Sequence, residues 1–394
     1  MFSSVRAAYN AAFNESHYQN FVNEIQAYSE NRLDFRLCET PLFLTTELSD
    51  MLVVAADEVL SQCFLPDILQ KCQNAVSHNH FVPNCDHHPQ FVQIDFAICK
   101  DENGNFFPQL IELQGFPTVY AFQHLLDIAT QNHLPIPKGF TTYYSGLDRD
   151  SFVTLFKKVL LGDESPEQTI LLEIEPEKQK TRIDFFCTEK LTGVKTVCLT
   201  KIKKRGRKLY YVLEGKEIPV NRIYNRVIFD ELYKKEDLKI EFDYREDVDV
   251  TWRNHPNWFF RISKYCLPLL KTHFAPKAMF LSEINEYPKD LDNFVLKPLF
   301  SFSGGGVVVD VIKEILDHVK DRQNHILQRK VEYAPLILCP DGTYTKAEVR
   351  MMYLWDEKPI LVNNLARMSK GKLMGASYNK QTTWAGSGIA YHPI

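Results

Sequence analysis

FVLKPLFSFSGGGVVVD, residues 294–310, is the stretch on which the reading of this chain turns. Its apolar residues predict a strand that delivers Lys297. Ser303, Gly304, Gly305 and Gly306 then predict a flexible loop before the chain turns back through a second strand, VVVD. Glycine reaches backbone angles closed to other residues, and a run of it leaves peptide N–H groups free to wrap a phosphate. A lysine on the strand supplies a point charge for the same anion. A tight hairpin standing alone carries the same signature, so the flanking sequence decides.

Upstream, RISKYCLPLLKTHFAPKAMFLSE (261–283) predicts a helix that begins after Asn257, carries Lys264 and ends near Leu270. Downstream come a helix, IKEILDHVKDR, and a strand, LQRKVEY, holding Gln328 and Glu332. Two more strands follow, AEVRMMYLW with Arg350 and PILVNNLAR with Arg367. The order of lysine, proline, KP with a glycine loop, hinge strand, EVR and a final arginine resembles the ATP-grasp superfamily over about residues 257–388. The resemblance implies ATP as cofactor. It places Lys264, Lys297 and Ser303 to Gly306 on the phosphates, Gln328 to Glu332 at the adenine hinge, and Arg350 or Arg367 on an acyl phosphate. The polar, Gly- and Ser-rich stretch after Arg367 favours that residue as a substrate-facing contact. Either arginine also reads as a member of a structural ion pair, with Glu348 an exposed neighbour.

Phosphoryl transfer calls for magnesium, which takes hard oxygen ligands. Most ATP-grasp enzymes place these after the EVR strand, but no acidic residue follows Glu357 here. FVQIDFAICKDENGNFFPQLIELQ (91–114) reads as two strands joined by a turn, and it supplies Asp95, Glu112 and Gln114. Glu112 and Gln114, two apart, project from one face of a strand. The hairpin resembles that of the glutathionylspermidine synthetase branch, whose RxDF and ExN motifs correspond here to Gln93, Asp95 and Phe96, then Glu112 and Gln114. Gln93 stands where that branch has a phosphate-contacting arginine, and Gln114 keeps an amide oxygen on a longer arm. Arg226, in RIYNRVIFDEL, is similar to a substrate-facing arginine of glutathione synthetases; pairing with Asp230, four residues on, accounts for it equally well.

The chain of 394 residues, 45% hydrophobic and 24% charged with net charge −4, is globular in composition, without general attraction to nucleic acid or anionic membrane. Its nine cysteines lack a CxxC pair and read as reduced thiols. The His and Cys residues between Cys72 and His88 lack zinc-site spacing and read as a polar loop. With neither an apolar signal core nor a membrane-length stretch, the cytoplasm is the expected location. The expectation is an α/β (α+β) chain of ATP-grasp fold in three regions. Residues 1–88 are mostly helical, 89–255 hold the metal-binding hairpin and substrate loops, and 256–394 bind nucleotide. The implied activity is an ATP- and Mg-dependent ligase joining a small-molecule carboxylate to an amine. A nucleotide-binding protein of the same fold without ligase activity and a small-molecule kinase are the alternatives. The sequence leaves the oligomeric state open.

Overall fold

The computed structural model describes residues 3–30, 33–235, 237–301, 304–371, 374 and 381–394. Helices α1 (Ser3–Ala12), α2 (Glu15–Ala27), α3 (Thr46–Cys63) and α4 (Pro66–Gln73) open the chain. In α3, Thr45 caps the first turn by accepting from Leu48 N at 3.3 Å, and Leu48, Leu52, Ala56, Val59 and Cys63 form a buried stripe. Strands β1 (Phe91–Lys100) and β2 (Phe106–Gln114) follow, then helices α5 (Tyr120–His133) and α6 (Arg149–Leu161). Next come β3 (Thr169–Glu173), α7 (Arg182–Thr192), β4 (Lys195–Cys198), β5 (Arg222–Asn225) and β6 (Thr251–Arg253). The last part contributes β7 (Ala278–Phe280), β8 (Phe294–Pro298), β9 (His325–Arg329), β10 (Tyr344–Trp355), β11 (Pro359–Ser369) and β12 (Gly386–Gly388). No described helix is long and apolar enough to cross a membrane.

The principal sheet runs β12-β11-β10-β1-β2, with antiparallel neighbours throughout, so the early hairpin and the late EVR strand share one ladder. The alternation in FVQIDFAIC suggests one solvated face, yet β1 is buried from Phe91 to Cys99. Val92, Ile94, Phe96 and Ile98 enter the core with α3, while Gln93 and Asp95 point to the opposite face and are buried there too. The polar half of the pattern therefore faces the protein interior rather than water. A second sheet, β6-β5-β3-β4, is wholly parallel, and α7 makes the crossover from β3 to β4. A third, β7-β9-β8, is antiparallel and carries Lys297.

Three expected elements are shorter than the sequence suggests. The helix after Asn257 is a single turn, Trp258–Arg261, followed by a 3-10 segment, Lys264–Leu269. Trp258, Phe260 and Ile262 are buried at every second position, a spacing no helix serves, and Pro268 lies within the second segment. VVVD forms no ladder, and only Val308 bridges to Leu296. The helix after Asp310 covers only Lys313–Asp317, because Leu316 is its one buried residue.

Gly115, directly after β2, ties that strand to the turn at Trp258: its N–H donates to Ile262 O at 2.7 Å, and Asn254 Nδ2 donates to its carbonyl at 2.6 Å. A Cβ there would lie 2.8 Å from Trp258 O and 2.9 Å from Ile262 Cβ. Gly115→Ala is expected to cost about 1–3 kcal/mol through overpacking, read as a lower urea midpoint with unchanged slope; an unchanged midpoint would refute the close approach.

Candidate functional site

Strand register decides which side chains meet. β1 sets Asp95 opposite Arg350 of β10 and opposite Glu112 of β2, and sets Gln93 opposite Gln114. β10 in turn sets Glu348 opposite Arg367 of β11. Directly opposed residues project from the same face, so these side chains gather on one side of the sheet. Arg350 grips Asp95 with two parallel bonds, Nε to Oδ1 at 2.5 Å and Nη2 to Oδ2 at 2.6 Å. Its Nη1 donates at 2.9 Å to both Gln93 Oε1 and Thr118 Oγ1. Arg367 Nη2 donates to Asp95 Oδ2 at 3.1 Å and its Nη1 to Glu348, whose other oxygen accepts from Tyr333 OH at 2.9 Å.

Asp95 is 1% exposed. Burial opposes its ionisation, but Arg350 and Arg367 outweigh burial and hold the carboxyl below its usual range. Glu348 goes the other way: burial pushes it up, and Arg367 only partly relieves it. Arg367 keeps its proton firmly, burial being overcome by Asp95 and Glu348.

Beside this cluster, Glu112 is partly exposed and meets cations from several segments. Lys264 Nζ lies 3.7 Å from its Oε2, and Arg350 Nη2 lies 4.0 Å from its Oε1. Lys264 is anchored by donating to Ser301 O at 2.9 Å, and Lys297 by donating to Ile111 O at 3.0 Å. Burial pulls the Lys297 ammonium down to about 8; Glu112 resists the shift and Lys264 adds to it. Gly304 and Gly306 both take φ of +72°, which favours glycine, and with Gly305 they are exposed on the loop after Lys297. Ser303 lies outside the described residues.

The chain therefore brings Asp95, Glu112, Lys264, Lys297, Arg350 and Arg367 together, and Gln114 joins them by donating to Gln93. Gln328 packs nearby, its Nε2 donating to Leu110 O at 3.4 Å and its Oε1 buried without a partner among the described residues. Such an acceptor suits a purine amino group. Glu332 stays on the surface after β9. Asp95 departs from the metal-ligand expectation: both its oxygens accept from guanidinium N–H groups, and Glu348 is occupied in the same way. No group of three or more His, Cys, Asp or Glu side chains among the described residues is arranged to hold a metal. Among the described residues, Glu112 is the carboxylate of this cluster whose cations stand off at 3.7 and 4.0 Å, and Gln114 projects from the same face of β2.

Sequence reading missed Glu348, Thr118 and Tyr333 as members of the site. Glu348 is buried rather than exposed, and its spacing of two from Arg350 on a strand is the signal that puts both on one face. Nothing local marks Thr118 or Tyr333. Arg226 pairs with Asp184 at 2.7 Å, not with Asp230, which pairs with Lys234. Asp184 in turn caps α5 by accepting from Val119 N and Phe122 N. In the Cys72–His88 stretch, Cys72 lies 3.6 Å from Cys266 in the core and His80 stacks on Phe260.

No protein-family model and no curated protein matches the chain. Among solved structures it is similar to a glutathione synthetase-like effector from Globodera pallida in its apo form, at 10% identity over 96% of each chain and a TM-score of 0.56. The mixed α/β architecture is thus one shared with a glutathione synthetase-like protein.

Proposed function

We propose that the chain is an ATP-dependent ligase of ATP-grasp type that activates a small-molecule carboxylate as an acyl phosphate and joins it to an amine. The observation that carries this reading is the convergence of Lys264, Lys297, Arg350 and Arg367, from four separate segments, around Glu112 and beside a glycine loop. Among the described residues these four cations meet three carboxylates, Asp95, Glu112 and Glu348, so the cluster carries an excess positive charge suited to an anion. Lys264 and Lys297 would neutralise phosphate oxygens, the glycine loop would cover them, and Gln328 Oε1 would take the adenine amino group. Glu112 and the Gln114 amide oxygen would hold magnesium, which supplies charge neutralisation on the transferred phosphoryl group.

Arg367 is better placed than Arg350 to meet an acyl phosphate. Arg350 is almost fully engaged by Asp95, Gln93 and Thr118, whereas the Arg367 side chain is 22% exposed and, among the described residues, bonds only Glu348 and Asp95. The carboxylate attacks the terminal phosphorus with ADP leaving; the amine then attacks the acyl carbon with phosphate leaving. Both steps build charge on oxygens near fixed cations. The saturation of Asp95 and the bond from Gln114 to Gln93 favour a second reading, nucleotide binding without ligation. Phosphate release from ATP and Mg with pooled amino acids, dipeptides, glutathione or polyamines separates the two.

ATP with Mg is expected to stabilise the folded chain by about 2.7 kcal/mol at 100 times its Kd; no thermal shift at millimolar ATP would defeat both readings. Lys297→Ala should weaken ATP by roughly 10- to 100-fold, as loss of a charge-assisted bond worth about 1.5–3 kcal/mol implies, with the fold intact by circular dichroism. Since free Lys297 titrates at about 8 and phosphate favours its charged form, ATP binding near pH 8.5 should take up a proton and weaken as pH rises. Calorimetry in two buffers of different ionisation enthalpy measures this, and equal heats would remove Lys297 from the phosphate site.

A further inference from the structure

A cavity of about 310 Å³ opens where the parallel sheet meets the start of β1, lined in part by Asp86, His88, Gln90, Arg253, Trp355 and Asp356. Gln90, directly before β1, and Trp355, the last residue of β10, lie five residues from Asp95 and Arg350, about 17 Å away at ~3.4 Å per residue. The cavity is therefore separate from the cationic cluster.

Arg253, at the end of β6, is unusual. Its Nε is sealed from solvent with no partner among the described residues, and Asp86 and Asp356 act on it only through space. Burial pulls its guanidinium below the ordinary value. Register puts Arg222 of β5 on the same face, opposite Thr251, and there too Nε and Nη1 are buried without partners. The two guanidiniums repel each other. Arg253 itself is half-buried, and with Asp86 and Asp356 in the same lining the cavity presents one cation and two carboxylates, a wall of both signs of charge.

Gln90 lines the same cavity. Gln90 is 2% exposed; its Nε2 donates to Asp86 Oδ2 at 2.6 Å and His88 O at 3.2 Å, and its Oε1 is buried without a partner among the described residues. Asn254 Oδ1 fixes the residue by accepting from Gln90 N at 2.8 Å. Across the cavity, the His88 ring stacks on Trp355 at 4.8 Å, giving a flat wall. Asp356, partly exposed, pairs with a surface lysine, Lys158, at 2.6 Å and acts on Arg253 through space. A dianion such as phosphate would meet Asp86 and Asp356, whereas a zwitterion matches both signs of charge.

We propose that this cavity binds a free α-amino acid, its carboxylate on Arg253, its ammonium on Gln90 Oε1 and Asp356, and its side chain along the His88–Trp355 wall. The twenty amino acids at millimolar concentration, and inorganic phosphate as a control, are screened by thermal shift on the full chain, and the responding amino acid is then titrated by calorimetry. At least one amino acid should raise Tm while phosphate does not. Arg253→Gln should weaken that amino acid at least about tenfold, and Asp356→Asn, at a partly exposed position that leaves the fold untouched, should weaken it as well. The proposal falls if no amino acid shifts the parent, if phosphate alone does, or if affinity survives in Arg253→Gln. Should Arg253→Gln fail to fold, unchanged affinity in Asp356→Asn is decisive against it. Lys297→Ala should keep the amino-acid response whatever happens to ATP, which separates this site from the nucleotide reading.

Discussion

One carboxylate with no access to water organises the functional half of this molecule. Asp95 lies in the middle of a strand buried on both faces, where an unpaired charge could not persist, and two arginines from the neighbouring hairpin surround it. Removing one partner of such a pair costs about 3–5 kcal/mol because the remaining charge is stranded. The arginines are thereby held in place, with Lys264 beside them against Glu112. A preorganised cationic surface of this kind stabilises developing negative charge without having to rearrange first. Asp95 holds both arginines in place.

Second in importance is the meeting of two lysines around Glu112. Lys264 and Lys297 come from segments with no regular ladder between them, and each is anchored by donating to a backbone carbonyl. Those carbonyls belong to Ser301 and Ile111, so Lys264 ties the 3-10 segment to the stretch after β8, and Lys297 ties the third sheet to the hairpin. The same interactions that hold these segments in place keep the ammonium groups beside Glu112. Fold and site share their contacts here.

The legible part of the sequence was the part whose spacing carries information. The alternation of FVQIDFAIC, the spacing of Glu112 from Gln114 and the glycines after Lys297 each have a local cause, and the strands β1, β2 and β8 lie where those causes put them. Burial of the polar face of β1 was not legible, because it depends on strands some 250 residues later. For the same reason Asp95 reads as a metal ligand in isolation and as a counter-ion in the fold. Arg226 is a similar case: helical spacing suggests Asp230, but the crossover helix α7 delivers Asp184. The helix expected after Asn257 failed because Trp258, Phe260 and Ile262 answer to a two-residue period imposed by the core.

The pairing of β1 with β10 also shapes how the chain is made. A ribosome releases Asp95 and its strand long before Arg350 and Arg367 exist, so the nascent hairpin emerges with one edge unpaired and an acid that has no counter-ion. An open, apolar strand edge is a template for the wrong partner, and distant pairings are slow to form. Until the C-terminal hairpin is made, the early hairpin lacks the strand that covers its open edge.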